Sequence, residues 1–554
     1  MFPNWQLVLL SLAYISLLFL IAFLGDRYRH QLARKGQSVI YALTLGVYCT
    51  SWSFLGTTGQ ASTSLLSHLP IYLGPILLFV FAWPFIQRII RVSLKLHLTS
   101  IADLLAARFG KSHNLAIMVT IVALVGTMPY IALQLKAMVY SFQQLQIDQS
   151  LNSWHIGLVV SLVLAVFTVL FGIRHIDVTE RHPGVMLAIA FESLVKISAF
   201  LAVGIFVCFV LYDSPADIWQ QANANELLEQ QLTIDNVTSM FALLVIVMAA
   251  FLSLPRQFQV MVVELKDQRD TWLSRRVFPL YILVFAFFAV PLGLAGQMLL
   301  GNTVPSDTYV LFLPDVTQQT WLTLFAFLGA VSAASSMVVI SAIALSTMLS
   351  NEIVFPLLYR RQKVAQTDYD NFRKRLLNIR KFLALFVILL GYGVFIMASP
   401  DTLSSLGEVA FGAFAQLTPA LIAAFYWRRA SLMGVYAGIL VGFILWLTLN
   451  FLPQFGLYAS PFAEGFLPVK STATLFSLGA NIIVMWALSQ ISRQSVQERV
   501  QASLFLEWQS PKLLKVEKKR QLDVRELELL ASRFVGLEKA HANFNSFLST
   551  HDKK

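Results

Sequence analysis

Glu192 and Lys196 stand four positions apart inside the apolar run FESLVKISAF, and a charge of either sign in such a run needs a reason. An ionisable side chain at the centre of a bilayer costs about 3 kcal/mol on even the mildest scales, so it is kept for pairing or for function. The i, i+4 spacing puts both groups on one helix face, where they can form a structural ion pair or hold and release a proton. Two other apolar runs are also interrupted by polar chemistry. SWSFLGTTGQAS, residues 51–62, follows Gly46, Cys49 and Thr50 and adds Ser51, Ser53, Gly56, Thr57, Thr58 and Gly59. FLSLPRQF, residues 251–258, brings Ser253, Pro255 and Arg256 to the end of another run. Glycine, proline and hydroxyl residues at membrane depth leave backbone groups that lipid cannot satisfy. Such segments face protein or a wet cavity, and transporters use them as binding sites. Close helix packing accounts for any single glycine, but not for paired breaks.

The elements that position these residues must cross a membrane. Of 554 residues, 57% are hydrophobic and 13% charged, with mean hydropathy +0.67, so lipid is the solvent for most of the chain. Taking apolar stretches near 20 residues as spans predicts thirteen: 5–24, 38–59, 69–91, 115–143, 154–173, 185–212, 237–255, 277–299, 318–349, 380–398, 404–427, 431–452 and 471–491. The first has neither the basic leader nor the cleavage site of a signal peptide and is expected to stay as a helix. Loops after odd-numbered spans carry the cations, among them Arg27, Arg29, Arg88, Arg91, Arg174, Arg181, Arg275, Arg276, Arg360, Arg361, Arg428 and Arg429. The intervening loops are neutral or acidic, as at Asp213, Glu226, Asp307 and Asp315. By the positive-inside rule the N-terminus lies outside and the tail, from Ser492, is cytoplasmic.

The two breaks fall in spans two and seven, five apart. That is the pattern of two five-helix repeats of opposite orientation, here about 38–212 and 237–427. The expected fold is therefore an all-α membrane protein with a 5+5 inverted-repeat core. The domains expected are 1–491 in the membrane and 492–554 as a helical tail.

Other chemistries find little in the sequence. The net charge of +11 sits in short loops between spans, so it points to membrane topology and not to nucleic acid. Only Cys49 and Cys208 occur, both in apolar runs, and neither a disulfide framework nor a metal site is spelled out. No nucleophile and base, metal cluster or phosphate loop argues for an enzyme, and His175 and His182 belong to a basic loop.

At the interrupted spans the chain resembles the sodium:solute symporters, over about residues 1–491. AFGAFAQLTPALIAAFYWRRASLMGVYAGILVG, residues 410–442, places Gln416, Pro419, Trp427, Arg428, Gly434 and Gly438 as in the family signature, and SWSFLGTTG matches its first core helix. The resemblance implies the leucine-transporter-like fold and a cation held by carbonyls of Gly46, Cys49 and Gly329 with hydroxyls of the eighth core helix. There Ser332 aligns with one hydroxyl of a pair and Ala333 with the other; a one-turn shift brings in Ser335 or Ser336, and helix packing accounts for the same serines. The missing hydroxyl leaves Na+ or H+ open as coupling ion. Lys196, with Glu192, either takes the cation's place or titrates. No other cofactor is implied. Tyr130 and Gln134 on the third core helix, Trp52 over the pocket, Phe251, Ser253 and Arg256 at the second break and Gln416 on the tenth core helix are the implied solute contacts. Half-helix N-termini attract a carboxylate, so an amino acid is the expected solute.

A narrower resemblance is carried by LFGIRHIDVTERHPG, AFESLVKISAF, LSLPRQFQVMVVE and SNEIVFPLL. These are similar to the symporter half of bacterial sensor histidine kinases fused to a carrier. LDVRELELLASRFVGLEKAHANF resembles the helical module linking carrier to kinase, although an amphipathic tail helix explains its apolar spacing as well. This implies a multi-pass protein of the bacterial inner membrane and a histidine kinase or response regulator as partner. Residues 1–554 hold no phosphoacceptor domain or nucleotide-binding box, so no kinase activity is expected of them. A solute-sensing receptor with little flux is the alternative to a cation-coupled secondary transporter.

Overall fold

The computed structural model describes residues 2–28, 36–147, 152–173, 181–228, 233–301, 303–359, 369–397, 403–462, 467–506 and 541–542. The predicted linker module, around 522–544, falls almost wholly outside them. Residues 1–505 form one compact unit and 506–554 a second.

Among the described residues every element is helical, apart from an isolated bridge between Phe2 and Gln146. The first half contains α1 (Asn4–Arg27), α2 (Gln37–Thr44), α3 (Thr57–Thr63), α4 (Leu69–Phe81), α5 (Trp83–Leu96), α6 (Ile101–Arg108), α7 (His113–Leu145), α8 (Ser153–Phe167), α9 (Pro183–Phe206) and α10 (Pro215–Ala224). The second half continues with α11 (Ile234–Ser253), α12 (Pro255–Phe258), α13 (Thr271–Leu300), α14 (Tyr309–Val316), α15 (Thr320–Leu349), α16 (Phe355–Tyr359) and α17 (Tyr369–Met397). It ends with α18 (Leu403–Ala415), α19 (Thr418–Tyr426), α20 (Leu432–Trp446), α21 (Val469–Ile491) and α22 (Val496–Leu506).

Eleven helical stretches are long and apolar enough to cross a membrane, and two more candidates are bent pairs. One bent pair joins Gln37–Tyr48 to Trp52–Thr63 at 68° and lies at the expected interruption of span two. The other corrects the sequence reading. Span three, expected as one rod over 69–91, bends by 77° between Phe81 and Trp83. The reason is local: Pro84 has no N–H to continue the helical ladder of α4 past Ala82, but it fits the first turn of α5, where no such donor is needed.

Small residues decide where helices touch. Gly434, Gly438 and Gly442, spaced by four, line the face of α20 that meets α21, where an added Cβ would come within 2.1 Å of Ser489, 2.7 Å of Met485 and 2.3 Å of Gln416 respectively. Backbones this close gain dispersion contacts along the whole seam. At the start of α9, an added Cβ on Gly184 would lie 2.3 Å from the Ala22 carbonyl, while the Gly184 N–H donates to Asp26 at 2.9 Å. That carboxylate satisfies one of the orphan donors of the helix N-terminus, next to Pro183 in the first turn, where no donor is lost.

At the other end of the bundle, Arg108 closes α6 and caps α19. Its fully buried guanidinium donates to the carbonyls of Ala424 at 3.0 Å and Trp427 at 3.2 Å. Burial lowers its pKa to about 10, which leaves it charged at neutral pH. The start of the tail is seated against the same region. Glu498 of α22 accepts from the N–H of Leu432 at 2.8 Å and of Ser495 at 3.0 Å, and Phe505 packs on Phe425 with centroids 5.4 Å apart. Arg108→Met is expected to lower the thermal midpoint of the purified protein by several degrees, since hydrogen bonds from a charged group contribute about 1.5–3 kcal/mol each. Arg108→Lys, lacking the planar fork, should recover only part of it, as read by a fluorescence melting curve.

Candidate solute and coupling site

The first break begins where α2 tightens into a 3-10 turn over Leu45–Tyr48, and the helix then opens at Cys49 (φ −73°, ψ 98°) before a π-turn over Trp52–Gly56 leads into α3. The freed groups find partners on α7. Gln134 Oε1 accepts from the backbone N–H of Ser51 at 3.1 Å and from its hydroxyl at 2.7 Å. One turn earlier the Tyr130 hydroxyl lies 3.0 Å from Thr50 Oγ1. Tyr130 and Gln134 thus do for a half-helix what a side-chain cap does for an ordinary helix start.

The second break is at Leu254 (φ −64°, ψ 120°), between α11 and α12, where Pro255 cannot continue the hydrogen-bond ladder. Thr418 donates to the Ala249 carbonyl, so Ser253 donates in turn to Thr418 Oγ1 at 2.8 Å. Phe251 meets Tyr48 edge to face at 5.2 Å, which packs one break against the other. Arg256 lies over the Tyr130 ring, 4.1 Å from its centroid, in cation–π geometry. One side chain therefore touches both interruptions, its hydroxyl on Thr50 and its ring under Arg256.

The polar groups at these breaks are not all satisfied. Arg256 is 2% exposed, its Nε and Nη2 have no hydrogen-bond partner, and among the described residues no carboxylate pairs with it. Gln257 is fully buried with neither amide atom partnered, and Gln134 Nε2 and Ser53 Oγ are also unpartnered. Burying an unpaired charge costs several kcal/mol, and buried polar atoms are otherwise nearly always bonded, so this cluster is suited to a polar ligand. Aromatic rings close around it: Phe411 stacks on Tyr130 at 5.7 Å and meets Trp52 edge to face at 5.2 Å. Trp52 is fully buried and donates through Nε1 to Gln60 at 3.1 Å.

The residues expected around a cation also come together, with their oxygens already in use. Lys196 Nζ donates to the Cys49 carbonyl at 2.7 Å, and the Gly46 carbonyl accepts from the Cys49 N–H at 3.0 Å. Ser332 donates to the backbone carbonyl of Glu192 at 2.7 Å, Ser335 to the Glu192 carboxylate, and Ser336 to the Ser332 carbonyl at 3.0 Å. Glu192 and Lys196 thus have separate partners on one helix face and do not pair with each other. Gly329 is a point of close approach, since an added Cβ would sit 2.6 Å from the Phe54 ring and 2.7 Å from Ala199.

Gln416 departs from expectation. Its carboxamide is held away from the breaks, donating to Ser477 at 3.0 Å and accepting from Asn481 at 3.2 Å on α21. The cause is the seam of small residues on α20: Gly442 leaves the hollow into which the Gln416 side chain folds. Sequence reasoning missed Thr418 and Gln257, although both adjoin signals it did use, Pro419 and Arg256. It also assigned Asp307 to an acidic loop.

Asp307 is buried between α13 and α14, accepts from the Leu403 N–H at the start of α18 at 2.9 Å, and crowds Gly59 of α3, whose added Cβ would lie 2.6 Å from Oδ1. Burial raises its carboxyl from 3.8 to about 6, against the opposing pull of the Leu403 N–H and Lys136.

No family model and no curated protein matches the chain. Among solved structures, a Na+-coupled sialic acid symporter in its substrate-bound outward-open state is 14% identical; the match covers 90% of this chain and 99% of that one with a TM-score of 0.65. Mhp1, a nucleobase-cation-symport-1 family transporter, is 14% identical over 84% of this chain and 96% of its own, with a TM-score of 0.43. The manganese transporter of Eremococcus coleocola is 10% identical over 92% and 95%, with a TM-score of 0.40. The first likeness establishes the fold: this all-α membrane chain is built like the sialic acid symporter.

Because the Asp307 carboxyl is raised on folding, its protonated form is favoured in the native state, and the stability it contributes is lost as pH rises through about 6. Asp307→Asn should therefore gain on wild type between about pH 4 and pH 7, by at most ~3 kcal/mol, one pKa unit being about 1.4 kcal/mol. Melting curves of the two proteins across that range test this.

Proposed function

We propose that the chain is a cation-coupled secondary transporter of a small organic solute carrying a carboxylate, with an amino acid as the leading class, working by alternating access. The observation that carries this reading is the unpaired Arg256 guanidinium at the meeting point of two broken helices. A buried cation without a counter-ion is held at a cost that a carboxylate solute would offset, through charge-assisted and bidentate hydrogen bonds. Tyr130, Gln134, Ser253 and the aromatic wall of Trp52 and Phe251 would position that solute. In this reading each bent pair is one crossing, giving thirteen, with the N-terminus outside, repeats at about 38–212 and 237–427, and the tail from Ser492 cytoplasmic in a bacterial inner membrane.

For the coupling ion we favour H+. The Lys196 ammonium sits on the Cys49 carbonyl that the sequence reading assigned to a cation, and Glu192 and Ser335 complete a proton-bearing cluster beside it. The Na+ coupling named for the sialic acid symporter supports the other choice. A role in signalling, as the sensing part of a two-component system, is the second reading. It draws support from the tail helix α22, which bonds directly to the ends of the core helices through Glu498 and Arg88.

Counterflow into proteoliposomes against a panel of amino acids tests the main reading. Saturable exchange of one carboxylate solute is expected, reduced at least tenfold by Arg256→Met and unaffected by replacing Na+ with choline. Lys196→Met should abolish the pH dependence of net uptake. Solute binding without exchange would favour the receptor, and strict Na+ dependence that survives Lys196→Met would remove Lys196 from coupling.

A further inference from the structure

A cleft of about 230 Å³ lies between α1 and the core, walled by Leu12 of α1, Phe142 of α7, Val159 of α8 and Val331 of α15. It is below the ~300–1,000 Å³ of pockets for drug-sized ligands, and its lining is almost wholly apolar. At its floor are two groups that an apolar occupant would leave unsatisfied. Glu192 is the one carboxylate among the lining residues, with Oε1 taken by Ser335 and the other oxygen without a hydrogen bond. The Tyr14 hydroxyl, on a side chain 5% exposed, lies near Ser332 but makes no well-aligned hydrogen bond among the described residues. Lys196, the neighbouring cation, gives its ammonium to the Cys49 carbonyl and makes no salt bridge with this carboxyl group among the described residues. His155 is the remaining titratable group of the lining besides Tyr14.

We propose that this cleft binds a lipophilic amine, with its hydrocarbon against the apolar walls and its protonated nitrogen on the free oxygen of Glu192. The Tyr14 hydroxyl is placed to accept a further N–H. The choice of ligand follows from charge. A fatty acid or anionic lipid tail-and-head would set two carboxylates or a phosphate against each other. A neutral lipid chain would fill the walls and leave both polar groups without partners. An ammonium gives the free Glu192 oxygen a charge-assisted hydrogen bond, and that carboxyl group is already desolvated in the folded protein. α1 exposes its other apolar residues, including Leu9 and Leu20, so a ligand dissolved in the bilayer reaches the cleft from its side.

The test uses the full chain in nanodiscs and a ten-carbon primary alkylamine carrying a diazirine, with labelled peptides mapped by mass spectrometry. Saturable labelling is expected on peptides containing Leu12, Val159 or Val331, competed by the unreactive amine. Glu192→Gln and the cleft-filling Val331→Trp should each weaken that labelling at least tenfold. A neutral alkyl diazirine of equal length should label lipid-facing helices without saturation. Equal labelling by the neutral probe, or saturable labelling unchanged in both variants, would overturn the proposal. Should Glu192→Gln fail to fold, Val331→Trp, which leaves the carboxylate in place, decides. The readout needs no flux, so its failure and the failure of the transport reading are separable.

Discussion

Peptide groups in hydrocarbon must be bonded within the protein, and the core of this chain is arranged around two places where a helix cannot do that for itself. Tyr130 and Gln134 resolve the first by lending α7 to the opened segment at Cys49–Ser51. Tyr130 also lies beneath the cation that follows the second. With one ring shared, neither interruption can shift alone without changing the surroundings of the other, and that linkage is the physical basis for reading the two as a single site.

The charges near this site are distributed in a definite way. Lys196 and Arg256 are both buried, one bonded to a carbonyl and the other unpaired, while Glu192 turns toward the serines of α15 and the outer cleft. The centre between the breaks is therefore cationic, and the acidic group faces α15 and the cleft beside α1. A site of this polarity would discriminate first by charge and only then by shape, since admitting a cation there costs more than admitting a misfitting methyl group.

Much of this was legible before any coordinates. Gly and hydroxyl runs at 46–59 and the Ser-Leu-Pro of 253–255 mark the breaks because few other sequences would put such residues at membrane depth. The long helices were legible from apolar length, except where Pro84 bends span three, since hydropathy does not register direction; the short helices α6, α10 and α14 between spans are too brief to show in it. Partner choice was not legible. Gln416 turns to α21 because Gly442 leaves room there, a fact of packing between helices with no local signature. Glu192 and Lys196, at pairing distance by spacing, part company because a serine and a carbonyl from other helices offer each of them a better partner.

Helix α22 is tied to two separate parts of the core. Its Glu498 holds the first amide of α20, at Leu432, its Phe505 carbonyl is gripped by Arg88 of α5 at 3.1 Å, and Gln494 ties down the carbonyls of Arg428 and Ala430 at 2.8 Å each. Should α5 and α20 separate, this short segment could follow only one of them, and two or three strong bonds on the losing side would break. The turn at 494–505 therefore fastens the amino-terminal end of α20 to α5, helices from opposite halves of the chain, by hydrogen bonds to backbone rather than by apolar packing alone.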